Sequence, residues 1–352
     1  MLLTERTLLG KLTYADSGVN IDKADETKKA MAGSLETNDA RVLNKIGAFA
    51  TLFDGKFPEY EHPVLVLKSE EPGSKQKLAF AHGHYESVCY DLVNHLINDI
   101  IVMGARPLSV QDVIVCGKLE KNIITKIVDG MASACREQKC TLTGGETSEQ
   151  PGVVEPGTYI LTASIVGVAE KNSIIDGQLI ASGDQVIAIQ SNGLHTNGYT
   201  LVRALLETQP DLAELPVDDK SFIEAILMPH LCYYQGVVEL FDSGVIKGMA
   251  HITGGGIRDN ITRILPNSLD AQIDLSKIEI PKVFKILRQY GQLDTTDMLR
   301  TFNMGVGLVI ITPPKNIELV RNHLQKTGYH SYVIGKIGEG SKQVQLTNKL
   351  KF

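Results

Sequence analysis

Strand-like and helix-like hydrophobic patterns alternate along this chain, stop near residue 170, and then start again. Pro63–Leu67 reads as a short strand, and Glu86–Met103 has helical periodicity after a polar turn. Leu108–Val115 reads as a strand, Lys121–Gln138 as a helix and Thr158–Val168 as a long strand. Past residue 170 the spacing predicts a strand at Gln185–Ile189, a helix from Asn197, a long helix from Ser221 to Phe241, a strand at Met249–Ile252 and a helix from Arg258. A strand at Gly307–Thr312, a helix at Lys315–Lys326 and a strand at Ser331–Ile334 stopped by Gly335 complete the pattern. No low-complexity linker separates the halves. The expectation is an α+β protein of two mixed α/β-layer domains, 1–170 and 171–352, packed closely enough to form a cleft at their seam.

A chain of 352 residues with 43% hydrophobic content can bury a large core, yet no apolar run reaches membrane length. The start, with Glu5 and Arg6 after Met-Leu-Leu, lacks the layout of a secretory signal, which points to the cytoplasm. The polar first sixty residues read as a solvated arm with one helix near 23–32. A net charge of -6, with no basic block interleaved with aromatics, argues against nucleic acid as a partner. Cys89, Cys116, Cys135, Cys140 and Cys232 are odd in number and never spaced Cys-x-x-Cys, so reduced, buried thiols are expected rather than disulfides or a zinc site.

Within the helix of Glu86–Met103, Asp91 and Asn98 are seven residues apart and Asp99 follows, so these groups share one face. Val88, Leu92, Leu96, Ile100 and Met103 share the other, and Gly104 is a natural stop. Some forty residues later, Thr143-Gly144-Gly145-Glu146-Thr147 sets another carboxylate beside glycines at the end of an apolar element. Asp99 and Glu146 are therefore read together as ligands for Mg²⁺ beside phosphate oxygens, against the blander reading of a tight turn with an exposed glutamate.

Two more glycine clusters sit at strand-to-helix junctions. Ser191-Asn-Gly193-Leu-His195-Thr-Asn197-Gly198-Tyr199 offers free helix-start amides to a phosphate, or is simply a helix capped by Thr196 or Asn197. His251-Ile-Thr253-Gly254-Gly255-Gly256 has the same logic, and three successive glycines are costly unless the backbone is approached closely. Ser69–Lys75 lacks P-loop spacing and reads as a charged surface turn. His82-Gly-His84 has no matching third ligand and reads as surface.

Taken with Met298-Leu-Arg-Thr-Phe-Asn303-Met-Gly305-Val-Gly307, these segments resemble the phosphoribosylformylglycinamidine cyclo-ligase (aminoimidazole ribonucleotide synthetase) family, from about Tyr14 to Ile337. The resemblance implies a homodimer whose N-terminal domains pair their sheets, with ATP and Mg²⁺ in a cleft and a small ribonucleotide as substrate. It implies ATP-dependent ring closure of formylglycinamidine ribonucleotide to aminoimidazole ribonucleotide in purine biosynthesis. By motif position it assigns Lys75, Asp99 and His195 to catalysis, and Asp99 with Glu146 to metal. Glu70, Gly73, Ser74, Asp91, Asn98, Asp112, Gly144 and Gly145 would serve the nucleotide. Ser191, Asn197, Thr253, Gly254, Gly255 and Gly256 would serve the substrate.

The chain departs from the family at Lys68-Ser69-Glu70-Glu71-Pro72-Gly73-Ser74-Lys75, where Gly-Thr-Asp-Gly-Val-Gly-Thr-Lys is usual, and at the thinned Gly47-Ala-Phe49. Pro72 deletes an amide donor, and Glu70 places its carboxylate about one bond further out than aspartate. Two other readings are a divergent paralogue that binds ribonucleotide or a protein partner without turnover, and a thiamine-monophosphate or selenophosphate type of enzyme. The Phe-Asn-Met-Gly-Val-Gly and Leu-His-Thr-Asn-Gly-Tyr segments favour the cyclo-ligase type over the latter.

Overall fold

The computed structural model describes residues 14–44 and 47–352. The N-terminal stretch on which the secretion reading rests lies outside them. Two sheets organise the chain. The first uses β1 (Pro63–Glu70), β2 (Arg106–Cys116), β3 (Thr141–Glu149) and β4 (Tyr159–Glu170) in the order β1-β4-β2-β3. All its pairings are antiparallel except β2 with β3. Helices α1 (Ile21–Leu35), α2 (Lys75–Ala81), α3 (Ser87–Ile101) and α4 (Lys121–Glu137) accompany it. Gly104 ends the turn after α3 at φ +77°, the left-handed conformation in which glycine carries no Cβ penalty.

The second half carries β5 (Gln185–Gln190), α5 (Tyr199–Thr208), a two-residue ribbon β6 (Pro216–Val217) with β7 (Lys220–Ser221), α6 (Phe222–Ile226) and α7 (Tyr234–Val237). Then follow β8 (Gly248–His251), α8 (Gly256–Ile264), β9 (Leu269–Asp274), α9 (Lys282–Gly291), α10 (Thr295–Thr301), β10 (Val306–Thr312), α11 (Ile317–Lys326), β11 (Ser331–Glu339) and β12 (Val344–Thr347). Its six-stranded sheet has the order β12-β9-β11-β5-β10-β8, with only β12 and β9 parallel. All seven residues of β10 are buried, as the continuous run Val-Gly-Leu-Val-Ile-Ile-Thr requires of a strand covered on both faces.

Several expectations are corrected. The long helix of 221–241 is broken: α6 ends at Ile226, and α7 and a 3-10 turn at Val238–Ser243 follow an irregular stretch. Pro229 lies in that stretch, where it supplies no amide to a helix. β11 runs through Gly335 by a shift in register between Val333 and Gly335 instead of stopping there. The segment 69–75 is no mere surface turn, because Ser69 and Glu70 complete β1 while Pro72 and Lys75 are buried. Met103 is partly exposed rather than packed with the apolar stripe. The five cysteines are free and buried, as expected. None of the described helices is long and apolar enough to cross a membrane.

Helix α3 sets the site. Twelve of its fifteen residues are buried, polar ones included, because it is wedged between the first sheet and the second half of the chain. An amphipathic helix with both faces covered must find partners for its polar side chains. Those partners come from the irregular segment after α6.

Candidate functional site

Asp91, Asn94 and Asn98 follow one another at three- and four-residue steps, so they line one stripe of α3. Together they hold the backbone of 228–233. Asn94 Nδ2 donates to His230 O at 2.7 Å, Asn98 Nδ2 donates to Leu231 O at 2.8 Å, and Asn98 Oδ1 accepts from Tyr233 N at 2.9 Å. Asp91 Oδ1 accepts from His230 N at 2.7 Å and from Lys75 Nζ at 2.7 Å. Lys75 also donates to Met228 O at 2.6 Å and is fully buried. Burial draws the Lys75 ammonium's pKa down and the Asp91 carboxyl's up, and the attraction between the two opposes both shifts. The consequence is a clamp that delivers His230 to the seam.

One turn further along α3, His95 and Asp99 face β1 and β8. Lys68 Nζ lies 3.0 Å from Glu70 Oε2 and 3.0 Å from Asp99 Oδ2, so an ammonium bridges two carboxylates. On its other oxygen Asp99 accepts from His251 Nδ1 at 2.7 Å. His251 Nε2 lies 3.0 Å from His230 Nε2, and His230 stacks on His195 with ring centres 3.8 Å apart. His95 Nδ1 is bonded to Thr196 Oγ1 at 3.1 Å. Burial pushes Asp99 up, but the bond and charge of His251, helped by His95 and Lys68, outweigh it and hold the carboxyl well below its usual range. Burial, then His251, takes His95 down to about 4. Burial first, with repulsion from any proton placed on the neighbouring rings or on Lys75, keeps His195 and His230 well below an ordinary imidazole. These rings are neutral at pH 7, and both nitrogens of His195 and Nδ1 of His230 have no hydrogen-bond partner. An unsatisfied buried polar group costs about 1–3 kcal/mol, so such atoms mark a place built for something else.

The glycine-rich junctions surround this cluster. α5 starts from Gly198, at φ +81° with no side-chain cap, so neither Thr196 nor Asn197 caps it as expected. α8 likewise starts from Gly255 without a side-chain cap. The two junctions meet, since a Cβ on Gly254 would lie 3.3 Å from Asn197 Oδ1. His195 itself sits at φ +62°, a conformation uncommon outside glycine and typical of constrained sites. Behind it, a Cβ on Gly307 would fall 1.7 Å from the Tyr233 hydroxyl and 2.9 Å from His195 Cε1, so only glycine seats both rings.

Against this geometry, residues 64–169 match the N-terminal domain model of AIR synthase related proteins and residues 181–346 match the C-terminal one. A phosphoribosylformylglycinamidine cyclo-ligase of Chromobacterium violaceum is 40% identical over 95% of this chain and 98% of its own length. The chain belongs to the phosphoribosylformylglycinamidine cyclo-ligase family. A relative of the same name from Alkaliphilus metalliredigens is 38% identical over 96% of this chain and 99% of its own. Among solved structures, the hydrogenase maturation protein HypE in complex with ATP superposes with TM-score 0.66 at 17% identity, covering 94% of this chain and 92% of that one. The thiamine-monophosphate kinase of Stenotrophomonas maltophilia gives 0.64 at 16%, covering 92% and 94%. These two share the fold.

Within the cyclo-ligase frame, the sequence-predicted residues fall into three groups. Asp99, Glu70 and His195 converge on the cluster. Gly73 and Ser74 border α5, where Ser74 Oγ lies 3.3 Å from Thr200 Oγ1, and Asn197 and Thr253–Gly256 form the paired junctions. The others serve the fold. Lys75 and Asp91 are sealed against each other, and both ends of the Asn98 amide are engaged. Ser191 donates to Gly193 O at 2.9 Å and bonds Asn303, which fastens a turn. The amides of Gly255 and Gly256 donate to Arg300 O and Thr253 O, and a Cβ on Gly256 would lie 1.9 Å from Leu299 O. Close backbone packing, rather than an anion, thus explains those two glycines. Similarly, a Cβ on Gly145 would meet Asp112 O at 1.8 Å, so Gly144-Gly145 let β3 bulge onto β2. Asp112 lies beneath them, its carboxyl raised by burial to about 6.

Asp99 and Glu146 do not meet within one chain. Glu146 pairs with Val113 and so points to the uncovered face of the first sheet, while Asp112 and Glu70 point to the face that α3 covers. β3 and β1 are also opposite edges of that sheet. One chain therefore does not bring Asp99 and Glu146 to one cation. The sequence reading missed Lys68, His95 and His230, and it took His251 only as part of a motif. His95 had a signal, four residues before Asp99 on a helix. His230 had none, because its place depends on the broken helix.

Proposed function

We propose that this chain catalyses the ATP-dependent closure of formylglycinamidine ribonucleotide to aminoimidazole ribonucleotide in purine biosynthesis, with Mg²⁺, in the cytoplasm. The observation that carries the reading is the convergence of Glu70, Lys68, Asp99, His251 and His195, from both halves, beside two uncapped helix starts, in a chain similar to named cyclo-ligases along nearly its whole length. In this reaction ATP activates the formyl-derived amide oxygen, the amidine nitrogen attacks, and phosphate leaves as the ring closes.

The donor set fits the metal. Glu70 and Asp99 offer hard carboxylate oxygens that would hold Mg²⁺ once the Lys68 ammonium, which now lies between them, moved aside. When bound there with nucleotide, Mg²⁺ supplies charge neutralisation at the transferring phosphoryl group. Lys68 keeps the two carboxylates together, and Asp99 orients the His251 ring through Nδ1. The uncapped start of α5 receives the substrate's phosphate, with Asn197 beside it and Gly254 of the neighbouring junction close by. The buried imidazoles of His195, His230 and His251 wall the site.

The proposal includes a homodimer. Leu65 and Leu67 are 54% and 71% exposed, and with Val113 and Ile160 they lie on the uncovered face of the first sheet, an apolar surface suited to a second copy. The test incubates the purified chain with ATP, Mg²⁺ and formylglycinamidine ribonucleotide. Equal yields of ADP and aminoimidazole ribonucleotide are expected. Ribonucleotide bound without product would instead assign a non-catalytic paralogue, the reading that the altered Glu70-Glu71-Pro72 stretch favours.

A further inference from the structure

We propose that His195, His230 and His251 form a binding site for a divalent d-block cation of the zinc class, distinct from the carboxylate site assigned to Mg²⁺. One ligand atom from each of the three rings lies within 4.8 Å of the other two, and all three side chains are buried. Tetrahedral zinc with nitrogen ligands at about 2.0–2.1 Å sets those nitrogens roughly 3.3 Å apart. His230 Nε2 and His251 Nε2 are already 3.0 Å apart.

Three further observations point to a cation rather than to packing. His195 is 2% exposed and neither ring nitrogen has a partner, which is hard to sustain in a core unless something else satisfies it. Asp99 accepts from His251 Nδ1 at 2.7 Å, the carboxylate–histidine arrangement that fixes the tautomer and leaves Nε2 free to ligate. His195 and His230 also keep neutral rings, the form that binds metal, because burial lowers their pKa values. His95, Asp99 and His251 make a second gathered trio. It is the poorer site, since its His95 is bonded to Thr196 and its carboxylate is the one assigned to Mg²⁺.

Coordination exchanges the contact between His230 and His251 for two nitrogen–metal bonds. His230 then carries its proton on Nδ1. Because His195 and His230 stack with their planes 20° apart, their lone pairs run nearly parallel, and holding one cation requires the His195 ring to rotate. Three protein ligands leave a fourth position for water or a small anion. Mg²⁺ would draw on Asp99 Oδ2, the oxygen now at Lys68, and this site leans on Oδ1, so the two would share a residue without sharing an atom.

The site stands on the histidine geometry alone and not on the cyclo-ligase reading, so its test uses the metal as probe. The full chain without a polyhistidine tag is stripped with chelator, exchanged into buffer and titrated with Co²⁺. We expect one Co²⁺ per chain with the visible d–d absorption of a tetrahedral site, displaced by Zn²⁺ and not by Mg²⁺. His230→Gln should abolish the band, and Asp99→Asn should weaken binding by about 10–100-fold. Should His230→Gln not fold, His195→Asn serves, because asparagine tolerates the left-handed backbone at that position. Absence of the band in the unaltered chain overturns the proposal. So does its persistence in a folded histidine variant, or a thiolate-to-cobalt band in the near ultraviolet placing the ion on a cysteine.

Discussion

Asp99 Oδ1 and His251 Nδ1 lie 2.7 Å apart although 152 residues separate them in the chain. The contact joins a helix of the first half to a strand end of the second, and it holds the imidazole in one tautomer. Replacing Asp99 by Asn keeps the size of the side chain but removes the charge and the preference for an Nδ1 proton. Cyclo-ligase turnover should fall by about 10–100-fold, in keeping with loss of an orienting carboxylate. Phosphate release with formylglycinamidine ribonucleotide checks it, and unchanged turnover would remove Asp99 from the site.

The buried imidazoles tie stability to pH. Unfolded, His95 takes up its proton near 6.5; folded, it does so only near 4. Between those values the unfolded state binds more protons, so the stability present above about 6.5 is lost as pH falls. His195 and His230 act in the same direction. Asp112, raised to about 6, acts the other way below that pH, as does Asp91, whose carboxyl burial also raises. From pH 6.5 to 5 His95 by itself should lower the unfolding free energy by up to about 1.4 kcal/mol per pH unit. Urea melts across that range would show a flat or rising profile if the rings were exposed.

Asp112 gives a separate sign. Its folded pKa of about 6 lies above the ordinary 3.8, so the carboxylate destabilises the fold above pH 6 and is neutral in effect below both values. Asp112→Asn should therefore gain up to on the order of 2–3 kcal/mol at pH 8 and nothing near pH 3. Equal melts at both pH values would place the group in solvent.

Lys75 and Asp91 are sealed as a pair. Lys75→Met leaves the carboxylate without its cation and should cost about 3–5 kcal/mol. Adding Asp91→Asn removes the charge while keeping an acceptor for His230 N, and should restore more than half of the loss. Denaturant midpoints of the single and double variants decide it; no recovery would deny the coupling.

Gly307→Ala places a methyl against the Tyr233 hydroxyl and the His195 ring. Overpacking of this kind costs about 1–3 kcal/mol. The substitution should lower the melting temperature by several degrees, and an unshifted melt would show that Tyr233 can move aside.

Much of this was legible in the residues. Apolar spacing gave the helix that became α3 within about two residues at each end, because a 3.6-residue period is local information. The ordered glycine motifs pointed to the family. Their mechanics were less legible, since Gly145, Gly256 and Gly307 answer to Asp112, Leu299 and Tyr233, and a sequence does not say which backbone will press against a glycine.

The chain by itself determined most of the elements, the reduced thiols and the family. Tertiary structure decided which carboxylates and imidazoles share a site. Strand order and the alternation of side chains across a sheet put Glu146 on the far face, although its motif resembles that of a metal ligand. A helix interrupted around Pro229, and gripped by Asp91, Asn94 and Asn98, brought His230 to His195 and His251. Local periodicity set the long elements such as α3. Only long-range pairing fixes what their side chains face.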